Sequence, residues 1–334
     1  DRIFDGVRWH PSWQPITARA YHGPVGGLTA NYGAFRVLVA PGPSAGSPAA
    51  VRSDPPVPYL QIASRARTSN GRTRLQVDRI AGSRTERVVV DGRVRPGASP
   101  AEIWRSVADP LAYAGAVLQW QLSANGIGVA GGTRPGTAPP DAAEILAFEG
   151  HAMSHTVGLV LKYSSNMIAE SLVKALAVHA AGEAPPPGSG TWPAGVAEMS
   201  RRIRAMGVPL DGTKIVDGSG LSRDNRVSAR VLVELLRVAH GQFHIGPDLL
   251  AALPIAGVDG TLEKRAEAAT AEIRAKTGSL DGVTALAGHA RTEDGAPLVF
   301  AILVNGYRGS MTAAIDAVDG FAAALVEPIG LGGP

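Results

Sequence analysis

A few short arrangements in this sequence have the residue types and spacing to do chemistry. Lys276-Thr277-Gly278 sets a cation, a hydroxyl and a residue without Cβ side by side at the head of an apolar run. If that run is a strand, Lys276 and Gly278 share one face and Thr277 takes the other. So short a triplet is also what a strand entering a turn looks like. Ser164-Ser165-Asn166, 112 residues before Lys276, falls at a break between two helical stretches, where Ser and Asn commonly serve as caps. Ser171-Leu172-Val173-Lys174 places a hydroxyl and an amine at i, i+3, a nucleophile-and-base spacing. It begins seven residues after Ser164, inside the same expected helix, and reads as a Ser and a Lys on a helix surface. His151 and His155 at i, i+4 could ligate a metal on a helix, but no acidic third ligand is near. No metal site and no cofactor is expected. Gly126-Ile127-Gly128-Val129-Ala130-Gly131 mimics a dinucleotide loop but follows a helix instead of a strand. Asp217-Gly218-Ser219-Gly220 misses a nucleophile elbow by one residue and reads as a structural turn.

The elements that must position these residues differ between the two halves. Residues 1 to about 105 favour short, turn-separated strands: Phe35 to Val39, Leu60 to Ala66, Arg74 to Ile80, and Val88 to Val90 followed by an Asp91-Gly92 turn. From Ser99 to Asn125 the period becomes helical, with Ser99-Pro100-Ala101-Glu102 as a start signal and Leu111, Ala114, Leu118 and Leu122 on one stripe. Gly131 to Pro140 is the best linker, dividing the chain into a β-rich domain over 1–140 and a mixed domain over 141–334. In the second part Val157 to Tyr163, Met167 to Val178, Trp192 to Met206, Ser228 to His240 and Met311 to Val326 read as helices. Arg274 to Leu280, Thr284 to Thr292 and Leu298 to Tyr307 read as successive strands, the last two joined by an Asp294-Gly295 hairpin turn. No internal repeat is present.

The 334 residues are 45% apolar and carry 41 Gly and 25 Pro, which describes a loop-rich globular protein with a packed core. The net charge of +3 and the scattered arginines give no basic patch with interleaved aromatics, so no nucleic-acid partner is expected. The dense run Arg84 to Arg95 alternates with Val and Glu and reads as strand surface. The absence of cysteine excludes disulfides, thiolate chemistry and Cys-ligated zinc. No apolar run reaches a membrane span, and the first residues carry no signal-peptide pattern.

Read together, the arrangements resemble one family. Ser-x-Asn followed by Lys-Thr-Gly is the order of the second and third signatures of penicillin-recognising acyl enzymes. Ser164-Ser165-Asn166-Met167-Ile168-Ala169-Glu170 resembles the Ser-x-Asn–x–x–Ala-Glu run of the D-Ala-D-Ala carboxypeptidase/endopeptidases called class C penicillin-binding proteins, or S13 peptidases. Asp217-Gly218-Ser219-Gly220-Leu221-Ser222, Gly260-Thr261-Leu262 with Arg265, Ala287-Gly288-His289 and Phe300 to Asn305 match further stretches of that family in order. Ser165 departs from the commoner Asp at a variable position. Asp1 to Trp13 resembles a stretch inside the family's inserted domain.

The resemblance implies an α+β fold: a β-lactamase/transpeptidase-like domain, an antiparallel sheet flanked by helices, plus an inserted β-rich domain. It implies a serine attacking the penultimate D-Ala carbonyl of a peptidoglycan stem peptide to form an acyl-enzyme that water hydrolyses. Ser164 would relay a proton to the leaving group, and Asn166 would hold the base and the acyl-side amide. Lys276 and Thr277 would hold the terminal carboxylate, and Gly278 would let substrate backbone lie close. The Ser279 N–H would be an oxyanion donor. The nucleophilic Ser-x-x-Lys is expected upstream of Asp1. β-Lactams are the implied acylating inhibitors, the implied location is extracytoplasmic, and association with a membrane surface is left open. The alternatives are an inactive peptidoglycan-binding scaffold and a β-lactamase or esterase of the same fold. The long β-rich region before Ser164 argues against a compact β-lactamase.

Overall fold

The computed structural model describes residues 2–139 and 141–327; Asp1 and Pro140, the latter closing the expected linker, lie outside them. The chain divides into two compact units, one of Asp1–Leu146 with Ala181–Gly190, the other of Ala147–Ala180 with Thr191–Pro334. A division at residue 140 does not foresee the return of 181–190 to the first unit. That return is made by backbone hydrogen bonds: Gly190 N–H to Ile3 O at 3.0 Å and Gly188 N–H to Arg2 O at 2.8 Å. No helix among the described residues is long and apolar enough to cross a membrane.

The first unit is β-rich. Strands β1 (Ala34–Ala40), β2 (Ala50–Asp54), β3 (Leu60–Ser64), β4 (Arg67–Thr68), β5 (Arg74–Ala81), β6 (Glu86–Val94) and β7 (Ala101–Ser106) precede one helix, α1 (Pro110–Ala124). Sheet β2-β1-β7 is antiparallel, while β6 pairs with β3 and β4 in parallel on one edge and with β5 in antiparallel on the other. Alternation puts Phe35, Val37 and Val39 of β1 and Val88 and Val90 of β6 into one core with Tyr59, Val77 and Tyr113. Two expectations need correction here. The segment after Ser99 is not helical: Ala101 to Ser106 pairs with β1, and the helix starts at Pro110 behind the Asp109 cap, whose carboxylate accepts from the Leu111 and Ala112 N–H groups. A ladder of main-chain bonds outweighs a local start signal worth about 1 kcal/mol. Asp91-Gly92 is not a turn either, because β6 runs through it without a break.

The second unit is built from α2 (Met153–Tyr163), α3 (Asn166–Ala180), α4 (Trp192–Ala205), α5 (Ala229–His240), α6 (Gly246–Ala252), the antiparallel sheet β8 (Ile273–Leu280), β9 (Val283–Arg291) and β10 (Pro297–Asn305), and α7 (Met311–Ala324). α6 is absent from the sequence reading. One sheet face, Ala275, Leu286, Ala290 and Phe300, is covered by Val318 and Ala322 of α7. The opposite face carries His289 against His240 of α5, with ring centroids 5.0 Å apart. Helices therefore sandwich an antiparallel sheet in which β9 is central and β8 and β10 are the edges.

Candidate active site

Everything at this site belongs to the second unit. α2 stops at Ser164, which adopts left-handed backbone (φ 55°, ψ 46°). A non-glycine residue there costs on the order of 1 kcal/mol and marks a position fixed by its surroundings. The three residues of the break divide the work. Ser165 caps α3, its hydroxyl accepting from the Ile168 N–H at 3.4 Å and its carbonyl from the Ala169 N–H at 3.1 Å. That leaves Ser164 at the end of one helix and Asn166 at the start of the next, both half-buried.

The triplet lies on β8, where Lys276 faces Ala287 of β9 and Thr277 faces the buried Leu286. Lys276 Nζ donates to Ser164 Oγ at 2.7 Å and to the Thr277 carbonyl at 2.8 Å. Two groups 112 residues apart thus meet at hydrogen-bond distance. No carboxylate forms an ion pair with Lys276 among the described residues, and burial lowers its pKa to about 8. A partly desolvated ammonium with neutral partners is a site that favours an anion. Thr277 Oγ1, instead of pointing into open space, donates to Thr261 Oγ1 at 2.9 Å. Gly278 is not crowded by the protein itself, since a Cβ there would meet only Ala285 Cβ, at 3.4 Å. Ser279, opposite Thr284, is exposed near the strand's end.

Supports that the sequence reading missed hold this geometry. Lys162, two residues before Ser164, donates to Asp259 Oδ2 and to the Leu253 carbonyl, both at 2.6 Å. Asp259 Oδ1 accepts from the Ile255 N–H at 2.8 Å. The next residue, Gly260, has φ +58° and lies so close to α2 that a Cβ would come within 2.7 Å of the Lys162 carbonyl. The chain then delivers Thr261 to Thr277. Arg265 forks onto Asp319 of α7 at 2.7 and 3.1 Å, tying the same loop to the far layer. The only signal for these supports was the Gly260-Thr261-Leu262 and Arg265 match; nothing marked Lys162 or Asp259.

Glu170 is fully buried and accepts from Trp192 Nε1 and the N–H groups of Gly218 and Ser219, at 2.7 to 3.1 Å. Burial raises its pKa despite these donors. Asp217 accepts from the N–H groups of Gly220 and Ser222 and from Asn225 Nδ2, so the Asp217-Gly218-Ser219-Gly220 stretch is a held loop. Arg223 Nη1 joins that loop to the Asp281 carbonyl at the β8–β9 turn. The reading of Ser171 and Lys174 as a surface pair is overturned. Lys174 is 0% exposed, with Nζ 3.8 Å from the Trp192 ring centroid, and Ser171 Oγ donates to the Met167 carbonyl. The cation stays inside because an aromatic face replaces part of its hydration. The ring centroids of His151, just before α2, and His155, in its first turn, lie 4.5 Å apart, and no group of three metal-ligating residues occurs among the described residues.

The sequence profile of the D-Ala-D-Ala carboxypeptidase 3 (S13) family matches residues 1–325. The chain belongs to that family. The D-alanyl-D-alanine carboxypeptidase of Actinomadura sp. (strain R39) is 34% identical over 99% of this chain and 62% of its own length. The carboxypeptidase DacB of Mycolicibacterium smegmatis is 36% identical over 52% of this chain and 37% of its own. The chain therefore spans less than two thirds of these relatives. Penicillin binding protein 4 (dacB) of Haemophilus influenzae shares the fold, with a TM-score of 0.71 at 22% identity over 98% of this chain and 74% of that one. The same protein complexed with a β-lactam gives 0.70 at 23% identity, over 93% and 72%. The α+β class with antiparallel sheets is thus the S13 fold.

Proposed function

We propose that this chain carries the substrate-holding and proton-relay side of a serine-type D-Ala-D-Ala carboxypeptidase that trims peptidoglycan stem peptides through an acyl-enzyme. The observation that supports it most is Lys276 Nζ on Ser164 Oγ at 2.7 Å, with the ammonium half-buried and, among the described residues, no carboxylate paired to it. In this proposal the terminal carboxylate of the stem peptide docks on Lys276, and the Thr277 hydroxyl turns from Thr261 to join it. Substrate backbone runs past Gly278. The attacking serine comes from a Ser-x-x-Lys pair upstream of Asp1. Its Oγ gives up its proton to the Lys of that pair and adds to the carbonyl carbon of the penultimate D-Ala, and the oxyanion is held by the Ser279 N–H and the nucleophile's own. Ser164, bonded to Lys276, passes a proton to the departing D-Ala amine. Asn166 holds the acyl-side amide. Water then releases the acyl group.

The proposal places the reaction outside the cytoplasm and makes β-lactams its acylating inhibitors, as the β-lactam complex of the Haemophilus influenzae protein suggests. It is tested by fluorescent penicillin on the full-length protein with its Ser-x-x-Lys intact. Covalent labelling is expected, and Lys276→Ala should lose it. A folded, full-length protein that stays unlabelled would sink the enzyme reading.

A further inference from the structure

The β-rich unit holds an arrangement that the reaction does not use. Arg67, Arg93 and Arg74 stand in one register across β4, β6 and β5: Arg67 is opposite Arg93 on one side, and Arg74 opposite it on the other. Residues in register share a face, and neighbouring strands lie about 4.8 Å apart, so the row spans about 10 Å. All three are exposed, and among the described residues none forms an ion pair. The carboxylate nearest in sequence, Asp91, is already taken by the fork of Arg65 at 2.7 and 3.0 Å. Like charges directly opposite destabilise a sheet, so the row persists at a cost to folding.

The row also has a built floor. It lines an open groove of about 680 Å³ whose other walls include Gly46, Thr68, Ser69 and Asn70. The loop along that wall is stitched to β4 by Gly46 N–H to Thr68 O at 2.8 Å and Thr68 N–H to Ser47 O at 2.8 Å. Arg67 Nη1 donates to the Gly46 carbonyl at 2.9 Å, which fixes one end of the row. Gly92 sets the other side. With φ +111°, and a Cβ that would fall 2.2 Å from the Arg74 carbonyl, only glycine lets β5 approach β6 here and bring Arg74 level with Arg93. The groove's lining contains no exposed large apolar side chain.

We propose that this groove binds a linear polyanion, its charges on phosphate or carboxylate oxygens. Guanidinium forks match both oxyanions, and three in a row suit a chain more than a single ion. The polar, unwedged lining favours a soluble polymer over a lipid surface, where apolar side chains would insert.

The test measures binding of the full chain to a linear polyphosphate, to poly-L-glutamate and to anionic phospholipid vesicles at low salt. One or both polymers should bind, the tighter one identifying the oxyanion. Affinity should fall roughly 10- to 50-fold between about 50 and about 200 mM salt, as release of counterions from some three contacts requires. The combined Arg67→Ala, Arg74→Ala and Arg93→Ala variant should lose at least about tenfold in affinity while melting at the same or a higher temperature, because the like-charge row is gone. Arg84→Ala, at the other end of the β5–β6 hairpin, should change binding less than about twofold. If the triple variant melts lower, Arg93→Glu alone should show the same loss in a folded protein. The proposal is overturned if neither polymer binds, if the triple variant binds as the parent does, or if only the vesicles bind.

Discussion

At the residue scale, the informative group is Lys276, because its ammonium is partly desolvated and has no counter-charge among the described residues. Its pKa of about 8 lies below the ordinary lysine value, so the folded state releases this proton more readily than the unfolded chain does. The sign follows from that. Below about pH 8 both states are protonated and the full burial penalty is present. From about pH 8 to about 10.4 the folded state is neutral while the unfolded state still holds its proton, so stability rises with pH across that window. Denaturant titrations at pH 7 and pH 10 should show a smaller gain for Lys276→Met than for the parent; equal gains would mean that the ammonium is not desolvated. Under the proposed function, carboxylate binding should weaken above about pH 8 as the charge disappears. Gly278 gives a complementary prediction. Its position has room for a methyl group and no left-handed φ, so Gly278→Ala should change stability by less than about 1 kcal/mol. Under the proposed function the same methyl would stand where substrate backbone passes, so penicillin labelling should slow at least about tenfold. An unchanged labelling rate would remove the close approach from the mechanism.

At the scale of elements, the site depends on where α2 ends relative to β8. Lys162 and Asp259 set that distance, and Gly260 permits the contact. Asp259→Ala removes an acceptor from both the Lys162 ammonium and the Ile255 N–H, and should destabilise the protein by about 1–3 kcal/mol in denaturant titrations. If the pair positions Ser164, labelling should also slow under conditions where the variant remains folded. A loss of stability with an unchanged labelling rate would assign the pair to folding alone. These supports show why only part of the site was legible in the sequence. Ser164, Asn166 and Lys276 carry chemical types in a specific order, and order survives in a string of letters. Lys162 and Asp259 are 97 residues apart, joined by folding and by no periodic signal. Lys174 has the appearance of a solvated helix lysine until Trp192, from another helix, covers it. The fold was legible where periodicity is local, as in α3, α5 and the β8–β9–β10 meander. It failed where partners are distant: β7 is a strand because β1 is beside it, and its Ser-Pro-x-Glu start signal yields to that ladder.

At the scale of the whole molecule, the described residues form two hydrophobic cores. One gathers Phe35, Val37, Val88, Val90 and Tyr113; the other gathers Ile273, Leu286, Phe300, Val318 and Ala322, and they have no residue in common. The Ser164–Lys276 pair belongs to the unit of the second, and the arginine row to the unit of the first. Each unit has a buried apolar core of its own, so each is expected to unfold as a cooperative block. Phe35 and Leu286 are both fully buried, so truncating either leaves a cavity in its own core. Phe35→Ala should cost about 3–5 kcal/mol and Leu286→Ala about 2–5 kcal/mol in the unit that contains it. Calorimetry of the parent chain should resolve two transitions, with Phe35→Ala lowering one and Leu286→Ala the other. Penicillin labelling of the full-length protein should follow the transition that Leu286→Ala lowers, because Ser164 and Lys276 are held by that core. A single transition shifted equally by both substitutions would mean that the two cores fold as one unit, and the β-rich unit would then contribute directly to the stability of the site.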